Sequence, residues 1–91
     1  MWFLDSGCSR HMTGDKRLLT DVIKCTGPKI TFGDKARGKT VGKGKITHGT
    51  ITIIEVLLVE NLHYNLISIS QLCDIGYLVD FRKEVCYVRD Q

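Results

Sequence analysis

The apolar positions of the 91-residue chain repeat mostly every second residue, which predicts strands separated by polar, glycine-containing turns. A first short strand covers Trp2 to Asp5, with Trp2 and Leu4 on one face, and Ser6-Gly7 stops it. Ser9 to Arg17 is polar and reads as a loop, with a helical turn around Asp15 to Leu19. Gly27-Pro28 turns the chain into Ile30-Thr31-Phe32, and the polar run Gly33 to Gly38 forms the tip of a hairpin. Gly42 and Gly44 inside the return strand predict a bulge or a bend. Ile51 to Val59, "ITIIEVLLV", is the longest apolar stretch and predicts a central strand covered on both faces.

The period then changes. "NLISISQLCDIG" sets Leu66, Ile69 and Cys73 on one helical face, with Asn65 as the expected N-cap and Gly76 as the expected C-terminal cap. This is the single helix expected. Tyr77 to Phe81 and Val85 to Val88 read as a closing hairpin turning at Arg82-Lys83-Glu84. Without a linker or repeat, residues 1–91 form a single all-β domain.

Composition adds bounds rather than a function. A hydrophobic share of 43% and a charged share of 25% are those of a water-soluble globular protein. No apolar run approaches the roughly 20 residues a membrane span requires. Met1 to Leu4 is too short for a signal core, so an intracellular, cytoplasmic location is expected. Cys8, Cys25, Cys73 and Cys86 form no Cys-x-x-Cys pair, which favours reduced thiols. Cys8 and His11 supply two metal-ligand types at a workable spacing, but no second pair completes a tetrahedron, so no metal or other cofactor is expected.

The formal net charge of +3 is unevenly placed. Lys29 to His48 holds Lys29, Lys35, Arg37, Lys39, Lys43 and Lys45 against Asp34. Such a segment either contacts RNA weakly or guards a sheet edge against wrong pairing. Gly33 to Thr40, "GDKARGKT", also spells the phosphate-loop pattern. That motif must open a helix, and Val41-Gly42-Lys43-Gly44-Lys45 is a poor helix start, so nucleotide binding is not expected. His48, His63 and the aromatics Tyr64, Tyr77, Phe81 and Tyr87 read as surface, packing or rim residues.

The remaining chemistry lies in "WFLDSGCSRHMTGD". An aspartate followed by a hydroxyl residue and a glycine at a strand end suits a catalytic carboxylate: glycine permits a sharp turn and close approach of its N–H, and the hydroxyl can tie two loops together. A plain Asx-turn explains the same triplet. Three stretches in order, that one with "ITFGDKARGKTVGKGKI" and "NLISISQLCDIG", resemble the retropepsin-like aspartic proteases, and in wording the protease region of copia-type LTR-retrotransposon Gag-Pol polyproteins.

The resemblance implies a small closed-barrel-like retropepsin fold, one piece of a larger polyprotein, that works as a homodimer on polyprotein peptides, with virus-like particles as one setting. Asp5 is then the catalytic carboxylate, Ser6 the brace across the dimer axis, and Gly7 the close-approach backbone. Gly33, Asp34, Lys35, Ala36, Arg37 and Gly38 correspond to the substrate-binding flap, and Asn65 to the support beneath the active loop. Retropepsins commonly place a Gly-Arg-Asn or Gly-Arg-Asp step where His63-Tyr64-Asn65 stands here. They also usually have a strand before the triplet, whereas four residues precede Asp5, as expected of a trimmed fragment. The alternative from another class is a non-catalytic β-barrel relic whose basic hairpin contacts RNA or a protein.

Overall fold

A computed structural model describes residues 2–5, 7–32, 36–81 and 86–90. Among these residues nine strands and one short helix follow in order: β1 (Trp2–Asp5), β2 (Met12–Thr13), β3 (Thr20–Lys24), β4 (Lys29–Phe32), β5 (Ala36–His48), β6 (Ile51–Val59), β7 (Asn65–Ser68), α1 (Ile69–Asp74), β8 (Tyr77–Phe81) and β9 (Cys86–Asp90). A 3-10 turn at Lys16–Leu18 fills the expected helical turn. It is capped by the Asp15 carboxylate, which accepts the Arg17 N–H at 3.0 Å.

The main sheet runs β1-β7-β2-β6-β5-β3, with β4 also paired to β5. The β1–β7 and β2–β6 pairs are parallel, and the others are antiparallel. The all-β expectation holds. Closure differs: among the described residues β1 and β3 end the sheet without pairing to each other, so the sheet is not a closed barrel.

β5 organises this architecture. Residues 36–39 pair with β4 on one edge, and 42–45 pair with β3 along the same edge further on, while the opposite edge pairs with β6. A strand can change partners this way only if it bends, and the register with β6 slips twice. Between Thr40 and Gly42 the extra residue lies on β5, next to the glycine that predicted it. Between Gly44 and Ile46 it lies on β6, where Glu55 takes a left-handed φ of 60°. Gly38 lies inside the β4–β5 ladder opposite Ile30, and a Cβ there would strike the Glu60 carbonyl oxygen.

The core lies where β2, β6 and the chain after β6 meet: Met12, Leu57, Val59 and Leu62, with Cys8, Ile30 and Leu66 packed on them. Leu72 of α1 is fully buried as well. β6 is thus covered on both faces only in its second half. β2 reaches only Leu57 and Leu58, and Ile54 further back is 46% exposed.

The helix is shorter than expected. Asn65–Ser68 is strand, paired with Trp2–Asp5, and the N-cap is Ser68 rather than Asn65. Gly76 closes the element as expected, with φ of 98° and its N–H donating to the Cys73 carbonyl at 3.1 Å. The closing hairpin is present as the separate β8–β9 pair, and its expected turn lies outside the described residues.

Candidate active site

β1 delivers Asp5 to the end of the sheet, in register with Ser68 of β7. The Asp5 Oδ1 accepts the Gly7 N–H at 2.6 Å, a short charge-assisted bond within the Asx-type turn. That carboxylate opens onto a cleft of about 970 Å³ shared with Gly7, Cys8, Met12, Leu62 and Leu66. Ile30, Thr31 and Arg37 of the β4–β5 hairpin line the same space. Phe3 and Tyr64, 6.3 Å apart edge to face, line it as well. The cleft therefore combines a carboxylate with a mostly apolar lining.

Beneath it a buried polar network fixes the loop. The Ser68 Oγ donates to the Cys8 carbonyl at 2.8 Å. With its one proton used there, it accepts the Gln71 N–H at 3.1 Å and the Ser70 hydroxyl at 3.1 Å. The Ser68 N–H donates to His11 Nδ1 at 2.9 Å, and the His11 N–H donates to Gln71 Oε1 at 2.8 Å. Ser68-x-x-Gln71 is a capping-box sequence, in which the Gln side chain ordinarily reaches back to the cap N–H. Here His11 occupies that gap, taking the cap N–H on its ring and giving its own N–H to the glutamine. A local helix cap is thereby turned into a clamp between residues 57 to 60 positions apart in the chain.

His11 is fully buried. Because Nδ1 accepts a bond, the neutral ring carries its proton on Nε2, and Nε2 has no hydrogen-bond partner among the described residues. Burial, and then the neighbouring Arg10 charge, push the imidazole down to about 4. The Cys8 thiol, 3.7 Å from the Asp5 carbonyl, is raised by burial first and by the Asp5 charge second. Among the described residues no group of three His, Cys, Asp or Glu gathers in a way that would hold a metal.

The expected site residues divide in three. Asp5, Gly7 and Arg37 share the cleft. Ser6, Gly33, Asp34 and Lys35 lie outside the described residues, Ala36 opens β5, and Gly38 is buried in the ladder. Asn65 opens a strand and not the helix, and its Oδ1 accepts the Thr13 hydroxyl at 2.6 Å, tying β7 to β2. The segment that spells a phosphate loop ends inside β5, so strand and not helix directly follows it. Sequence reasoning missed His11, Ser68 and Gln71 as the clamp. The capping-box spelling was the available signal.

Comparison with known proteins places these features in a family. A model described as "Pol polyprotein, beta-barrel domain" matches residues 2–77, which includes everything up to the start of β8. A Ty5-1 transposon protein of Saccharomyces cerevisiae is 28% identical over 68 residues, 75% of this chain and 47% of its own length. The retrovirus-related Pol polyprotein from transposon RE1 of Arabidopsis thaliana is 29% identical over 99 residues, 98% of this chain and 6% of its own. The chain thus spans less than half of either relative. No solved structure matches. With a family match over most of its length, the chain belongs to the Pol polyprotein β-barrel domain family.

Proposed function

We propose that this domain is the aspartic endopeptidase of a retrotransposon polyprotein, active as a homodimer on extended peptide segments of that polyprotein. The observation that carries the reading is the Asp5 carboxylate at the end of β1, fixed by the Gly7 N–H at 2.6 Å and open to an apolar cleft. The transposon relatives support the polyprotein context.

The chemistry needs two such carboxylates, and one chain supplies one Asp-Ser-Gly. Paired across a two-fold axis, two carboxyl groups in contact share one proton, because both cannot ionise side by side. The ionised partner takes a proton from a water molecule as its oxygen attacks the scissile carbonyl, and the protonated partner donates to the carbonyl oxygen. Collapse of the resulting diol returns a proton to the leaving nitrogen and regenerates the pair. Gly7 holds the orientation of Asp5, and the Ser68–His11–Gln71 clamp holds the backbone behind Cys8.

The test is cleavage of a peptide pool at high protein concentration between about pH 4 and 7, with Asp5→Asn alongside and the dimer fraction measured by sedimentation. Cleavage that rises with the dimer fraction and vanishes in Asp5→Asn is expected. Equal cleavage by both proteins, or none where the dimer is present, refutes the reading. A second reading, a non-catalytic binding domain, draws on the exposed cations of the β4–β5 hairpin, and predicts salt-dependent RNA binding that survives Asp5→Asn.

A further inference from the structure

We propose that the cleft selects peptides carrying an acidic residue close to a bulky apolar one, with Arg37 as the residue that reads the carboxylate. This rests on the endopeptidase reading for the nature of the occupant, and adds to it the chemistry of the substrate.

Two adjoining spaces carry the argument. The large cleft holds Asp5 and an aliphatic lining of Met12, Ile30, Leu62 and Leu66. A smaller pocket of about 240 Å³ is lined by Lys29, Arg37, Lys39 and Glu60. Arg37 and Asn61 line both, so the apolar and cationic spaces meet at Arg37. The ladder register explains the clustering: Lys29 stands opposite Lys39 and Thr31 opposite Arg37, which projects all four side chains from one face.

Like charges directly opposite each other destabilise a sheet, so their acid partners matter. Further along β5, Lys43 meets Glu55 at 3.4 Å and Lys45 meets Asp21 at 3.7 Å. Among the described residues Lys29, Arg37 and Lys39 have no such partner. The cations of the β4–β5 pair beside the cleft are therefore unmatched, while Lys43 and Lys45 further along β5 are matched.

The identity of the matching anion follows from the rest of the lining. Asp5 and Glu60 place a carboxylate in each space, which repels a continuous phosphate backbone. A single side-chain carboxylate seated on the Arg37 guanidinium meets less of that repulsion than a run of phosphates. The planar fork of arginine also matches a carboxylate with two parallel bonds. A peptide satisfies the aliphatic and the cationic space together, whereas a free anion fills only one.

The test uses labelled eight-residue peptides with a central Leu-Phe pair, with glutamate walked through the other positions, beside the same series with glutamine. Binding is read by anisotropy on Asp5→Asn protein, so that the peptides stay whole. At one or two positions glutamate should bind about tenfold more tightly than glutamine. Arg37→Gln should bring the glutamate peptide to the level of the glutamine peptide. Arg37→Glu should turn the preference toward a lysine peptide, an inversion that a merely structural arginine would not produce. Equal binding of the two series at every position, or no binding of either, overturns the proposal. So does an oligouridine RNA that binds through Arg37 while the peptides show no glutamate preference. Wild-type cleavage separates the two readings. A glutamate preference in binding with no cutting sinks the endopeptidase and leaves the acidic specificity, while equal cutting of both series, absent in Asp5→Asn, does the reverse.

Discussion

Beneath the Asp5 loop, polar groups meet in the dry interior; along β5 and its neighbours, they meet in solvent. Ser68, His11 and Thr13 have essentially no exposed surface, and their bonds lie at 2.6 to 2.9 Å between segments distant in sequence. Lys43 and Glu55 face each other at 3.4 Å with 36% and 45% of their side chains exposed. Arg17, paired with Asp15 at 2.9 Å, is 89% exposed. Short distance is common to the clamp and to the Arg17–Asp15 pair, so distance does not separate strong from weak. Removing a partner in the interior strands a group that water cannot reach, while at the surface water replaces it at once. The loop is held by groups that have no alternative, and the charged face of β5 is left free to exchange partners.

His11→Ala should break that contrast most severely. It empties a fully buried ring site and leaves the Ser68 N–H without its acceptor. The expected cost is about 3–5 kcal/mol, most of the stability of a marginal small domain, read as a fall in the urea midpoint at unchanged slope.

Acid should act through the same ring with a somewhat smaller effect. The folded-state value of about 4 lies below the ordinary 6.5, so the unfolded chain binds more protons between those values. The contribution of His11 is therefore complete above about pH 6.5 and is lost as pH falls toward 4. The loss amounts to on the order of 3 kcal/mol. Urea titrations from pH 7 to 4 check this, and the slope over that window should flatten in His11→Gln.

The smallest effect belongs to the surface. A double-mutant cycle on Lys43→Gln and Glu55→Gln should give a coupling of less than about 1 kcal/mol, shrinking further with added salt. A coupling as large as the His11 effect would erase the distinction between the two regions.

Much of the sheet was legible in local pattern. β1, β4 and β6 follow from alternation or apolar runs, the bulge beside Gly42 from its glycine, and the end of α1 from Gly76. Residues 65–68 were not legible, because four residues cannot distinguish strand period from the first turn of a helix when Asn65 and Ser68 are both good caps. What decides is a partner 63 residues away, β1, which converts Asn65–Ser68 into strand and leaves the cap to Ser68. β2 and β3 escaped for a similar reason: two residues in one, and a mostly exposed edge in the other, carry too little periodicity. In the site, Asp5 and Gly7 were readable because their chemistry is local. The clamp was not, since a histidine three positions after a cysteine spells a metal pair or a titrating neighbour as readily as a buried ring. Its burial is a property of β6, β7 and α1 closing over it.

The clamp also has a bearing on timing. Gly7 orients the Asp5 carboxylate locally, but the strand that carries it pairs with Ser68 and the loop behind it is tied by Ser68 and Gln71, so the site is complete only when those distant residues are in place. During synthesis Asp5 leaves the ribosome 63 residues ahead of Ser68, the residue it pairs with, and waits for it. Contacts of such long separation form late, because loop closure must precede them. On the endopeptidase reading proposed above, such a site stays inert until Ser68 and Gln71 have been made, with the order of translation serving as its safety interval.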